Sequence, residues 1–406
     1  VSVTEGEQIV KPIYTARKNC RSCGSTTLVE VLVLGEQYLC AFPADPNTML
    51  PKAPLVLVRC GNCGLLQLLH STDVDLLYNE YWYRSSMNQT MREALKDVVR
   101  SAEIYQQDGA WLDIGANDGC LLGYVPSVFT KVACEPAATF HAQLEEHADY
   151  VIGGFFSKAA VADKYEGKFS VITSCAMFYD LDDPLSFCKD IEAILENDGV
   201  WVNQLNDSPT MLDNNGFDGI CHEHVTYWDI HGLKDLYKRA GLKIVDVTFN
   251  GINGGSMRVF ATKASSRVVE RNIQGMPKAT TERVSLFALR VPRWKRLMQD
   301  LLSDNARRNG PAWGYGASTK LTMMLQYLDA PQTFLAVADR NHAKHGRLMA
   351  GSWLPITSEE TMRAARPRLL VVGPYSFRSE FVAREEKLRS TGTTMLFPLP
   401  NPEMVL

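Results

Sequence analysis

The chain has 406 residues, a 46% hydrophobic fraction and a net charge of −4. That length holds two or three domains with ample cores. It carries no long run of Lys or Arg, no stretch near about 18 unbroken apolar residues and no charged-then-apolar leader, so we expect a cytoplasmic protein that binds neither nucleic acid nor membrane.

Residues 1–75 read as a small irregular unit, with strands at Val29–Leu34 and Leu55–Arg59 around a proline-rich loop, Pro43–Pro54. Two Cys-x-x-Cys pairs, Cys20/Cys23 and Cys60/Cys63, are each followed by a glycine, Gly24 and Gly64. Thiolates of one such turn can reach a single metal, and two turns close a tetrahedron, which points to structural Zn2+. Catalytic zinc and a redox dithiol are the other uses of this spacing. The remaining six cysteines are scattered, as lone thiols are in a reducing compartment.

An aromatic segment over 77–88, with Tyr78 and Tyr83, reads as a connector or lid, and Met91–Gln107 as a helix. From residue 110 strands and helices alternate. Strands are expected at Ala110–Ile114, Lys131–Glu135, Phe169–Ser174, Gly199–Leu205, Lys243–Phe249 and Arg258–Thr262, and helices at Ala138–His147, Leu185–Leu195 and His231–Ala240. This is the pattern of an α/β, doubly wound domain. After a break at Ala264–Pro277, a second α/β unit begins. It has a long helix at Thr281–Arg307 with a kink expected at Pro292, then a strand and turn at Pro311–Gly316. A helix at Lys320–Leu328 and strands at Thr333–Ala338 and Pro367–Gly373 follow. The domains are therefore set at 1–75, 76–263 and 264–406.

Asp113-Ile-Gly115-Ala-Asn117-Asp118-Gly119 ends a strand and opens a helix, and Glu135 ends the next strand, 22 residues after Asp113. Glycines let a backbone approach a ligand, and an acid at the second strand end suits a ribose diol. The acids Asp113 and Asp118 would repel a diphosphate and suit a sulfonium with an α-ammonium. S-adenosylmethionine (SAM) therefore fits better than a dinucleotide. Asp182 is either a further contact or a helix N-cap.

His222-Glu223-His224 follows the Gly199–Leu205 strand, at the rim where α/β enzymes keep their substrate. In an extended segment both His face one way and Glu223 the other. Such a cluster serves proton transfer, a metal, or a structural hydrogen-bond network. Gly314-Tyr315-Gly316-Ala-Ser318-Thr319-Lys320 is a second glycine turn, with Asp339 placed 23 residues after Gly316. Its amides, Ser318 and Lys320 make an anion seat or a merely structural turn.

This ordered set, with Tyr83-Arg-Ser-Ser86, Asn253-Gly-Gly-Ser-Met-Arg258 and Phe397-Pro-Leu-Pro400, resembles the SAM-dependent sugar C-methyltransferases over nearly the whole length. The resemblance implies a zinc-binding domain, a class I methyltransferase-type SAM domain and a C-terminal Rossmann-like domain. It implies methylation at C-3 of a nucleotide-linked 4-keto-6-deoxy sugar through an enolate. His224 would be the base, Glu223 its orienting partner or a substrate contact, and Tyr83 a ligand of the substrate or a helper near the reacting centre. Asp113, Gly115, Asn117, Asp118, Gly119 and Glu135 would hold SAM. His222, Tyr315, Ser318, Lys320, Asn253 and Arg258 would hold the nucleotide sugar. Two positions depart from the family pattern: Cys221, where members carry Tyr, and Met177–Asp180, where some have His. The alternatives are another acceptor, a sugar oxygen or nitrogen or a macromolecule, or a non-catalytic nucleotide-sugar-binding protein.

Overall fold

A computed structural model describes residues 12–78 and 82–406. The centre of the expected lid segment, 79–81, and the first 11 residues of the zinc unit lie outside the described residues.

Seven strands form the central sheet: β1 (Gly109–Ile114), β2 (Phe129–Cys134), β3 (Tyr150–Ile152), β4 (Phe169–Cys175), β5 (Leu195–Asn206), β6 (Leu242–Asn250) and β7 (Ser256–Lys263). Their order is β6-β7-β5-β4-β1-β2-β3, parallel except that β7 runs antiparallel to both its neighbours. β1 and β4 are buried on both faces, which is why they read as continuous apolar runs. The order reverses at β1, and a crevice opens at the carboxyl ends of β1 and β4, where such sheets bind ligands.

The C-terminal sheet holds β8 (Ala312–Tyr315), β9 (Phe334–Asp339), β10 (Ile356–Ser358), β11 (Leu369–Val372), β12 (Thr394–Phe397) and β13 (Glu403–Val405). Its order is β10-β9-β8-β11-β12-β13, parallel but for the last pair. The Thr281–Asn309 helix lies before it and runs through Pro292 as one element.

The amino-terminal sheet is antiparallel, Leu28–Tyr38 beside Lys52–Cys60 beside Leu66–Leu68. Its fourth strand, Thr226–Tyr227, comes from far along the chain. The core of this sheet (Leu32, Leu55, Leu57, Leu68) is continuous with Leu321, Met324 and Leu325 beneath the C-terminal sheet. Cys20, Cys60 and Leu65 pack instead against the central unit. The expected Pro43–Pro54 loop is overturned at its end, because Lys52–Pro54 belongs to a strand. Pro54 is tolerated there because Leu66–Leu68 covers only Leu57–Arg59, so no ladder bond on that side is lost. The Ala138–His147 helix shrinks to a 3-10 turn and one α turn ending at Leu144.

Candidate active site

The four cysteines meet. Cys20 Sγ lies 3.6 Å from Cys63 Sγ, and Cys23 Sγ lies 3.6 Å from Cys60 Sγ. All four sulfurs fall within 4.8 Å of one another. Tetrahedral thiolates about 2.3 Å from zinc stand about 3.8 Å apart, so the donor set fits Zn2+ with no position left for water. The two halves are built alike. Gly24 N–H donates to Cys20 O and Gly64 N–H to Cys60 O, each at 3.0 Å, with φ of +73° and +80° at the glycines.

A cavity of about 620 Å³ lies between the central and C-terminal units. Its walls include Gly115, Asn117 and Glu135 from the first glycine turn, Gly316, Ser318, Lys320 and Asp339 from the second, and Glu223 and His224 between them. Tyr83, Asn253, Cys40 and Phe42 also line it. The residues expected to contact SAM divide in two. Glu135 accepts Asn117 N–H and Ala137 N–H at 2.8 Å each, one on either oxygen. A carboxylate has about four acceptor sites, so two remain for a ribose diol. Gly115, with φ +72°, lines the cavity beside Met177, whose Cγ a Cβ at Gly115 would meet at 3.2 Å. This fits SAM.

Asp113, Asp118 and Gly119 do not reach the cavity. Asp113 is buried in β1 and accepts Thr173 Oγ1–H at 2.7 Å. Burial pushes its carboxyl up to about 7, against the Thr173 hydrogen bond and with added repulsion from Glu135. Asp118 accepts Ser86 N–H at 3.0 Å, while Asn117 Oδ1 accepts Ser85 N–H and Asn117 Nδ2 donates to Tyr83 O. These two side chains fasten the Tyr83–Ser86 segment onto the turn. At Gly119, with φ +76°, a Cβ would meet His147 at 2.8 Å, so the close approach is made by protein and not by ligand.

The chain turns at Cys221–His224, with His224 N–H donating to Cys221 O at 3.1 Å, and this corrects the extended reading. His222 leaves the cavity and its Nε2 bonds Ala53 O at 2.9 Å. Burial lowers its pKa to about 4. Glu223 and His224 both reach the cavity. His224 Nδ1 pairs with Gly219 O at 2.9 Å, so Nδ1 carries the proton and Nε2 is left as the acceptor. Its ring meets Tyr179 edge-on, 4.3 Å between centroids. Burial lowers its pKa to about 4, with Lys320 adding to the fall and Gly219 opposing it. The orienting group is therefore the Gly219 carbonyl, not Glu223.

Glu223 instead belongs with Asp180, which sequence reasoning left without a role. Burial raises both carboxyls, and Asp180, beside Glu223, rises well above the usual range. Tyr78 Oη–H donates to Asp180 Oδ2 at 3.0 Å, and the buried Oδ1 has no hydrogen-bond partner among the described residues. Asp182 lines the cavity but is not the cap. It pairs with the buried Arg21 at 2.7 Å, while Asp183 caps the following helix.

Among the expected substrate contacts, Ser318 caps the Thr319–Leu328 helix, and Lys320 Nζ donates to Asn253 O at 2.7 Å. Tyr315 lines the cavity but its hydroxyl is committed to Glu385 at 2.7 Å. Arg258 is not brought in. It projects from the helix-covered face of β7 to Gln204, Asp97 and Ser101.

Three family models match the chain in series: a zinc binding domain over residues 20–78, a methyltransferase domain over 83–247 and a C-methyltransferase C-terminal domain over 251–400. The chain is 25% identical to C-methyltransferase NovU of Streptomyces niveus, over 98% of both chains. Together the three matches span most of the chain, in the order that the sequence resemblance implies. Solved structures similar to this chain include a SAM-dependent methyltransferase from Clostridium acetobutylicum, 12% identical with a TM-score of 0.35, covering 42% of this chain and 92% of that one. Another is a SAM-dependent methyltransferase from Leishmania major, 13% identical with a TM-score of 0.34, covering 43% and 73%. As in the sequence expectation, SAM and a metal held by four cysteines are the groups this chain is built to hold. No helix among its described residues is long and apolar enough to cross a membrane.

Proposed function

We propose that the protein methylates C-3 of a nucleotide-linked 4-keto-6-deoxy sugar. The observation that supports this most is the shared cavity, which brings to one space the cofactor turn, a His whose Nε2 has no hydrogen-bond partner among the described residues, and a second glycine turn. When bound, SAM supplies an electrophilic methyl. Gly115, Asn117 and Glu135 would hold it. His224 Nε2 takes the C-3 proton, which the neighbouring ketone makes acidic, and leaves an enolate. Its depressed pKa keeps the ring neutral and competent at neutral pH, at the cost of driving force. The crowded carboxyls of Glu223 and Asp180 retain a proton more readily than two charges. That proton is a hydrogen bond for the enolate oxygen. Tyr83, tied to the cofactor turn through its carbonyl, closes over the reacting centre. Ser318, Lys320 and Asn253 seat the nucleotide diphosphate, and the three domains divide near residues 75 and 263.

The test is mass spectrometry of nucleotide 4-keto-6-deoxy sugars incubated with the protein in deuterated water, with and without SAM. We expect a SAM-dependent gain of one carbon-bound methyl, and deuterium uptake without SAM. Neither label on any of the nucleotide sugars would refute the reading.

A further inference from the structure

The two α/β units carry the same device at the same place in the fold. In the central unit Gly115 N–H donates to Cys134 O at 2.9 Å, and Glu135, the next residue, accepts Asn117 N–H and Ala137 N–H at 2.8 Å each. His141, six residues on, bonds the Glu135 carbonyl at 2.9 Å. In the C-terminal unit Gly316 N–H donates to Ala338 O at 2.8 Å. Asp339, the next residue, accepts Ala317 N–H at 2.6 Å on one oxygen and Asn341 N–H at 2.7 Å on the other. His345, again six residues on, bonds the Asp339 carbonyl at 2.8 Å. Gly115 and Gly316 share a positive φ, +72° and +85°. Each acid is thus fixed by two backbone amides, has acceptor capacity left, and faces the same cavity.

The surroundings of the two acids differ. Lys320 and Lys344 stand at the second turn, and their ammonium groups donate to carbonyls, Asn253 O and Ala317 O, rather than to carboxylates. No carboxylate among the described residues is within ion-pair distance of either ammonium, although Asp218 and Asp339 act on them by charge, so each keeps hydrogen-bonding capacity for an anion, which disfavours a second sulfonium and favours phosphate.

Resting on the nucleotide-sugar reading above, we propose that Asp339 is the receptor for an intact ribose 2′,3′-diol. The sugar is then carried on a ribonucleoside diphosphate and not on a 2′-deoxynucleotide. Each hydroxyl donates one hydrogen bond to a spare acceptor site of the carboxylate, as the ribose of SAM does at Glu135, and the diphosphate lies toward Lys320 and Lys344.

The test uses the full-length, zinc-loaded protein with SAM present. It is titrated calorimetrically with matched pairs: GDP and 2′-deoxy-GDP, UDP and 2′-deoxy-UDP, CDP and 2′-deoxy-CDP, and 5-methyluridine diphosphate and thymidine diphosphate. For the tightest base, the ribo form binds roughly 10- to 100-fold more tightly, as loss of a hydrogen bond to a charged group predicts. Asp339→Asn reduces that ratio to near one and leaves SAM affinity unchanged. Equal affinity within the tightest wild-type pair, or a tighter deoxy form, overturns the diol assignment and leaves the nucleotide-sugar reading standing. A protein that binds SAM but none of the eight nucleotides overturns both. The wild-type ratio decides even where Asp339→Asn fails to fold.

Discussion

Replacing His224 by Asn separates the reacting nitrogen from the structural one. The Asn amide N–H sits near the position of Nδ1 and can keep the bond to Gly219 O, while Nε2 disappears. What is lost structurally is the edge-on contact with Tyr179, about 1 kcal/mol. What is lost chemically is general-base catalysis, a factor of about 10² to 10⁴ in turnover, or about 3–5 kcal/mol of barrier. The assay is single-turnover methyl transfer together with calorimetry for SAM. We expect near wild-type SAM affinity, a small fall in unfolding midpoint, and loss of deuterium exchange at C-3. The pH dependence gives a second reading. The neutral ring is the active form, and its pKa is lowered to about 4. Activity attributable to the base should therefore stay flat from about pH 8 to 5 and fall only below that. Full turnover in the variant, or a wild-type limb near pH 6.5, would show that the reasoning about His224 is wrong.

Cys20→Ser should abolish soluble folded protein, because a structural zinc site of four cysteines contributes about 10–16 kcal/mol, as much as the whole stability of a domain; a well-folded, metal-free variant would contradict this. Glu135→Gln should weaken SAM binding about 10- to 100-fold by calorimetry, since Gln offers one acceptor where two backbone amides and a diol must be met; unchanged affinity would remove Glu135 from the cofactor site. His222→Gln should make the fold less acid-sensitive. The folded pKa of His222, about 4, lies below the unfolded value, so its stabilising contribution is complete above pH 6.5 and is lost as pH falls toward 4. Between about pH 7.5 and 4.5 the wild type should lose about 2.5 kcal/mol more than the variant in denaturant titrations, and identical slopes would refute the burial argument.

The parallel strands and both glycine turns were legible because strands buried on two faces are unbroken apolar runs, and positive-φ glycines mark where each sheet gives way to a turn. The metal cluster was legible from spacing alone. The short strands Tyr150–Ile152 and Ile356–Ser358 were not, being three residues each with no period to read. The histidines misled because alternation holds only for extended chain, and the turn at Cys221–His224 sends His222 to Ala53 while bringing Glu223 round to the cavity. Asp118 misled because an acid beside a glycine turn can serve backbone amides of its own protein as well as a ligand. Asp180 carried no signal, since its partners Tyr78 and Glu223 are distant in sequence.

The Thr226–Tyr227 strand begins two residues after His224 yet closes the edge of the zinc sheet, and Leu68 N–H donates to Val225 O at 2.9 Å. The amino-terminal block therefore cannot be exchanged between relatives as a free cassette. A crossover near residue 75 would join a foreign sheet to a resident edge strand, and any mismatch of pitch would pass directly into the loop that carries the base. A chimera that moves residues 217–227 together with the zinc block keeps that seam intact, and is the recombination boundary to use when acceptor preference is transplanted.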